Sequence, residues 1–172
     1  MLKAIKKPSE ANFGRFAHTS QGRFIVLFLY HATDKQNMKS ILENGLLCNP
    51  PKRNWDGMTT NLWDDFVFLA LDANAAEAYA ESQDDAPEEI VILKVALEDL
   101  DEDRIGYDWM NRCEYHEDIN SIVYQGDVGA NLLKPCNIDE EPLQDIDTFE
   151  GTWLYDRVMT VFEEEVETNM EN

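Results

Sequence analysis

Positive charge is scarce in this chain: 14 Lys and Arg stand against 35 Asp and Glu, a formal net charge of −21 over 172 residues. A general nucleic-acid binder needs a basic footprint, so nucleic acid is not an expected partner. Such acidity suits a basic protein partner, imitation of a nucleic acid's charge, or simply a solvated face. The charge is unevenly spread. Basic residues gather in the first third, in KAIKK and PKR, while Asp and Glu dominate from Asp84 onward and end in the run FEEEVE. Long apolar runs are missing too. Nothing approaches the roughly 20 residues of a membrane span, and the opening MLKAIKKPSEANF lacks the apolar centre of a signal peptide. Membrane is therefore not an expected partner. Cysteine is sparse: Cys48, Cys113 and Cys136 are scattered and have no metal-type spacing. They are expected to be free thiols in a reducing, cytoplasmic setting, and no metal is expected. Cys113 and His116 lie close in sequence, which is no sign of a catalytic pair. A phosphate-cradling glycine loop, a dinucleotide fingerprint, a zinc pattern and a nucleophile elbow are all absent.

What is present is a series of short, apolar, β-rich runs. The length suits one domain, 1–172, with a core over about 23–136. Strands are expected over 24–31, 66–71, 90–97 and 121–125. In the first of them FIVLFLY suits a strand buried on both faces. Met38, Ile41, Leu42 and Leu46 recur at helical steps and predict a helix over 34–44. Thr33 and Gln36 have capping-box spacing at its start, and Gly45 suits its end. Asp72 is expected to cap a short Ala-rich helix, and a final acidic helix is expected over 152–168, with Trp153, Val158, Val161 and Phe162 on one face. Residues 47–65, with two prolines and two tryptophans, read as a long binding loop, a lid or an insertion. Short strands outnumber helices and the connections are not regular βαβ crossovers. The expected class is α+β, with mixed or antiparallel sheets and flanking short helices.

His31 is the residue of interest. This reading sets it where a strand ends and a helix begins, which suits either a histidine satisfied by backbone or one that meets a ligand. The order of pieces around it is more telling. A strand ends in Tyr30-His31-Ala32-Thr33. A strand reading Val67-Phe68-Leu69-Ala70 leads into a small-residue helix bearing Tyr79, and later comes Asn120-Ser121-Ile122-Val123-Tyr124. From about Tyr30 to Pro135 this order resembles the ADP-ribosyltransferase superfamily, on its diphtheria-toxin and poly(ADP-ribose) polymerase side.

The resemblance implies a split pair of small sheets with NAD⁺, as substrate, bound between them. By that likeness His31 holds the nicotinamide ribose and the Ala32 backbone holds the carboxamide. Thr33 belongs to the same cofactor-binding strand end. Tyr79, with Trp55 or Trp63 from the 47–65 loop, stacks on the nicotinamide ring, and Phe68 stands where the family often has a tyrosine. Core packing is the alternative for Phe68 and for Tyr79. Chemistry asks for the same parts. Breaking the nicotinamide–ribose bond passes through an oxocarbenium-like state, which needs a fixed ribose, an aromatic platform and a carboxylate near the developing positive charge. Here the sequence departs from the family: Asn120 stands where the catalytic glutamate is matched. Asp118, two residues earlier and on the same face if the strand extends that far, and Asp127, just after the strand, are the candidate replacements.

The expected function is a mono-ADP-ribosyltransferase modifying a protein target whose surface is basic, in the manner of a bacterial or phage effector in host cytoplasm. The alternative is a catalytically inactive protein of the same fold that binds a basic partner through its acidic surface. The fold family also includes RNA 2′-phosphotransferases, which use His and Arg; the arginines here, Arg53, Arg104 and Arg112, fall outside any matching motif.

Overall fold

The computed structural model describes residues 17–18, 24–49, 65–83, 86–108, 113 and 115–170. Arg53, Trp55, Trp63, Arg112 and nearly all of the 47–65 loop lie outside the described residues. The expected first strand divides. Phe24–Ile25 (β2) pairs with Ala17–His18 (β1), and a separate strand, Phe28–Asp34 (β3), follows. His31 is thus inside a strand and not at its mouth, a correction to the expected boundary. The other strands are Phe66–Ala70 (β4), Ile90–Ala96 (β5), Ile105–Tyr107 (β6), Ser121–Gln125 (β7) and Lys134–Cys136 (β8). Six of them form one open sheet in the order β6-β7-β4-β3-β5-β8, antiparallel at every junction. The class is α+β, as composition indicated.

Alternation sorts the side chains onto two faces. On one, Leu29, Leu93, Val95, Val67, Leu69, Ile122, Tyr124, Ile105 and Tyr107 build the main core with Ile41 of helix α1 (Met38–Asn44) and with Leu154, Val158 and Phe162 of helix α3 (Trp153–Met170). On the other, Tyr30 and Ile92 pack against Ala73 and Ala76 of helix α2 (Ala73–Glu81). Alanines let α2 lie close to the sheet. Its cap is the one expected: the Asp72 carboxylate accepts the amides of Asn74 at 2.9 Å and Ala75 at 3.4 Å. The first helix starts later than expected. Asp34, not Thr33, caps a single 3-10 turn, Lys35–Asn37, before α1 begins.

Gly45 closes α1 at φ 85 and ψ −174, a conformation that is essentially glycine's alone. A Cβ there would meet the Val128 carbonyl oxygen at 2.2 Å, where Leu46 and Val128 exchange backbone hydrogen bonds. Gly45→Ala is expected to lower stability by at least about 1–3 kcal/mol, the backbone cost alone, read as an earlier urea midpoint. A midpoint unchanged from wild type would show that this turn is not constrained.

Candidate functional site

The middle of the sheet is a seam. Between β3 and β5, Lys35 N–H donates to the Glu89 carbonyl and Leu97 N–H to the Leu27 carbonyl, both at 2.9 Å, in the register that pairs Ala32 with Ile92. Odd-numbered residues of β3 therefore bond β5. The even-numbered Tyr30, Ala32 and Asp34 turn their N–H and C=O groups toward β4. The same parity holds across the gap. Leu71 N–H donates to the Asn120 carbonyl at 2.8 Å and Gly126 N–H to the Asp65 carbonyl at 2.5 Å, so Phe66, Phe68 and Ala70 turn toward β3. Tyr30 and Ala70 do pair, and the β3–β4 register ends with that single pair. Ala32 and Phe68 would come next.

Side chains hold the seam on both sides of that pair. At one end the Gln144 amide donates to the carbonyls of Phe28 at 2.9 Å and Leu71 at 2.7 Å. The Gln144 backbone N–H is itself held by Asp72 at 3.0 Å. At the other end the His31 ring reaches across, with Nδ1 3.0 Å from the Phe68 carbonyl. A carbonyl only accepts, so Nδ1 carries the proton and the neutral ring leaves Nε2 as an acceptor. The imidazole thus donates to the carbonyl that the Ala32 amide would use if the ladder continued. Ala32 faces the seam with an amide donor and a carbonyl acceptor side by side, the complement of a primary carboxamide.

Burial lowers the His31 pKa from its ordinary 6.5, opposed by the hydrogen bond to the Phe68 carbonyl. The folded chain then binds fewer protons at His31 than the unfolded chain just below pH 6.5. Stability from this group is full above that pH and is lost as the pH falls through the folded value. The His31 ring signals in a proton NMR titration should have a midpoint below 6.5. A midpoint above it would mean that the ring is held as imidazolium.

The other expected residues are placed as follows. Thr33 is buried, its hydroxyl accepting from the Asn37 side chain at 3.4 Å. Phe68 is half-buried on the face that α2 covers. Tyr79 stands on α2 over that face and is 53% exposed. His31 leaves β3 on the opposite face, with Leu29 and Thr33. His31 and Tyr79 therefore lie on opposite faces of the sheet and do not face one cleft, a correction to the shared site expected of them. Asn120 lies just before β7, exposed, its carbonyl securing Leu71; alternation groups it with Ile122 on the main-core side. Asp118 is in a 3-10 turn, His116–Asp118, so the extended spacing expected between it and Asn120 does not hold. Asp127 follows the far end of β7, where its carboxylate accepts the Cys48 N–H at 2.9 Å. Neither aspartate stands at the Asn120 position.

On the α2 face, where the sequence pointed to no acid, there is one. Asp108 follows β6 and is only 1% exposed. Its carboxylate accepts the Ser121 hydroxyl at 2.6 Å. Continuing the β6–β7 register sets Asp108 opposite Ser121, and Ser121 is paired with Ala70 and Ala70 with Tyr30. Burial first, and then the Asp108 charge, raise the Tyr79 phenol above its ordinary value, so the carboxylate lies within electrostatic reach of that ring.

The remaining candidates have structural partners. Arg104 donates through Nε to the Gln125 carbonyl at 2.6 Å and lies 4.7 Å from the Tyr124 ring centre. His116 faces Glu117 and Asp147 at 3.8 Å in a half-buried position. Burial, before any other cause, holds the three free thiols above their ordinary value, that of Cys136 at about 11, which does not suit a nucleophile. Among the described residues no group of three His, Cys, Asp or Glu could hold a metal ion, and no helix is long and apolar enough to cross a membrane. The chain matches no protein-family model and no curated protein sequence.

Proposed function

We propose that this chain is a mono-ADP-ribosyltransferase-like domain that takes NAD⁺ at the β3–β4 seam and transfers ADP-ribose to a protein target. What supports this reading is the seam itself: a sheet whose two antiparallel halves part beside His31, with the Ala32 amide and carbonyl turned into the parting. A nicotinamide carboxamide can pair with both groups. Phe68 and Tyr79, on the same side of the sheet, are the aromatic surfaces for the ring. His31, on the other side of the sheet, holds the parting open through the Phe68 carbonyl. The test is calorimetric titration with NAD⁺, with ADP-ribose as the comparison. Saturable binding of NAD⁺, tighter than that of ADP-ribose, is expected because only the dinucleotide carries the carboxamide. Equal affinities would remove nicotinamide from the account.

Asn120 favours a second reading, the same fold without catalysis, occupying a basic partner through its acidic surface. Asp118 on an exposed turn and Asp127 on Cys48 leave that position without a carboxylate. Labelled NAD⁺ in a lysate separates the two: a transferase leaves a labelled protein, whereas the binding protein leaves none.

A further inference from the structure

We infer that Gln144 is a positioning residue for the nicotinamide site: it clamps the closed end of the β3–β4 seam and so fixes the spacing at which Ala32 can take a carboxamide. This rests on the NAD⁺ reading above and adds what sets the width of its site. Past the Tyr30–Ala70 pair the register would set Phe28 opposite Asp72. Asp72 does not continue the ladder, because it turns out of the sheet to cap α2. The Phe28 carbonyl thereby loses its backbone donor, and the Gln144 side chain takes that donor's place.

The contact has a direction. Carbonyls only accept, so the two that Gln144 meets, Phe28 at 2.9 Å and Leu71 at 2.7 Å, require its amide nitrogen and not its oxygen. That nitrogen carries two N–H groups and directs one to each. Two oxygens that would repel are held together instead, one from β3 and one from the residue after β4. Gln144 is itself fixed. Asp72 caps α2 with one carboxylate oxygen and accepts the Gln144 backbone N–H with the other, at 3.0 Å. Three residues earlier, Glu141 accepts the Tyr30 hydroxyl at 3.0 Å and pairs with Lys94. This segment therefore ties down β3 at both Phe28 and Tyr30. Phe28 and Ala32 stand on either side of Tyr30, each about 7 Å along the strand. The Tyr30–Ala70 pair lies between a clamped end and an open end, and the clamp limits how far the strands part at the open one.

The experiment measures NAD⁺ and ADP-ribose affinity by calorimetry, and amide hydrogen exchange by NMR, on wild type, Gln144→Met and Gln144→Asn. Methionine keeps the length and loses both donors. Asparagine keeps the amide but draws it back by one methylene. Each variant is expected to bind NAD⁺ about tenfold more weakly, the scale of one lost hydrogen bond. ADP-ribose, which lacks the carboxamide, should bind as it does to wild type. The Tyr30 amide, paired with Ala70, should exchange at least about tenfold faster while the amides of β5 and β7 are unchanged, because the opening is local. A merely structural loss would speed all of these amides and weaken both ligands alike. Gln144→Asn carries the test alone if Gln144→Met fails to fold. An undiminished preference for NAD⁺, equal losses for the two ligands, or a Tyr30 amide that exchanges as in wild type would each overturn this assignment and leave the NAD⁺ reading standing. A folded wild type that binds NAD⁺ no more tightly than ADP-ribose would overturn both.

Discussion

Lys94→Met is expected to lower the unfolding free energy by about 3–5 kcal/mol, the cost of leaving a buried charge without its partner. Lys94 on β5 pairs with Glu141, whose side chain is 6% exposed while that of Lys94 is 22% exposed. Glu141 also accepts the Tyr30 hydroxyl at 3.0 Å, and the Lys94 ammonium lies 4.6 Å from the Phe28 ring centre. Burial first, and then Glu141, push the Tyr30 phenol well above its ordinary value, so it remains a donor throughout the working pH range. The pair ties the segment after β8 to the middle of the sheet, on the face that α2 covers. The two halves of the pair are unequal. Without Glu141 the more exposed lysine can extend to water, so Glu141→Gln should cost less. Urea unfolding of the two variants measures both, and a loss below about 1 kcal/mol for Lys94→Met would class the pair with surface ion pairs.

The second large effect concerns the ligand. His31→Ala is expected to weaken NAD⁺ binding by at least about tenfold, roughly 1.4 kcal/mol. The ring holds the parting of β3 and β4 through the Phe68 carbonyl. Removing it takes away the donor that keeps the Phe68 carbonyl from the Ala32 amide. The ladder could then close by one pair over the proposed carboxamide position. His31→Gln retains a donor of similar reach and should fall between alanine and wild type. Calorimetry gives the affinities, and equal binding by all three proteins would place the ligand away from this seam.

Much of this architecture was legible in composition. FVFLA, IVILKVA and SIVYQ are strands within a residue of their expected bounds, because β-branched and aromatic runs bounded by turn residues leave few alternatives. The Asp72 cap followed from local chemistry for the same reason. Three strands escaped notice, the two-residue Ala17–His18 among them. IGY and KPC are three residues each, and KPC holds a proline, tolerated because β8 is an edge strand. The seam was not legible at all. Gln144 reaches Phe28 across 116 positions and His31 reaches Phe68 across 37, and no local pattern encodes either contact. Asp108 was hidden for another reason. It lies in a run of acids most of which are exposed, and composition does not separate a buried carboxylate from its solvated neighbours. Alternation along β7 puts Asn120 on the main-core side and Ser121 on the α2 side.

The most direct measurement is a titration of 15N-labelled protein with NAD⁺, following the Ala32 amide. Pairing of a carboxamide with that N–H and C=O predicts a saturable shift that is largest at Ala32, with smaller ones at His31 and Phe68, and reproduced by nicotinamide alone at higher concentration. An Ala32 signal that stays still up to millimolar NAD⁺, or saturable shifts confined to another part of the chain, would contradict a nicotinamide site at the seam.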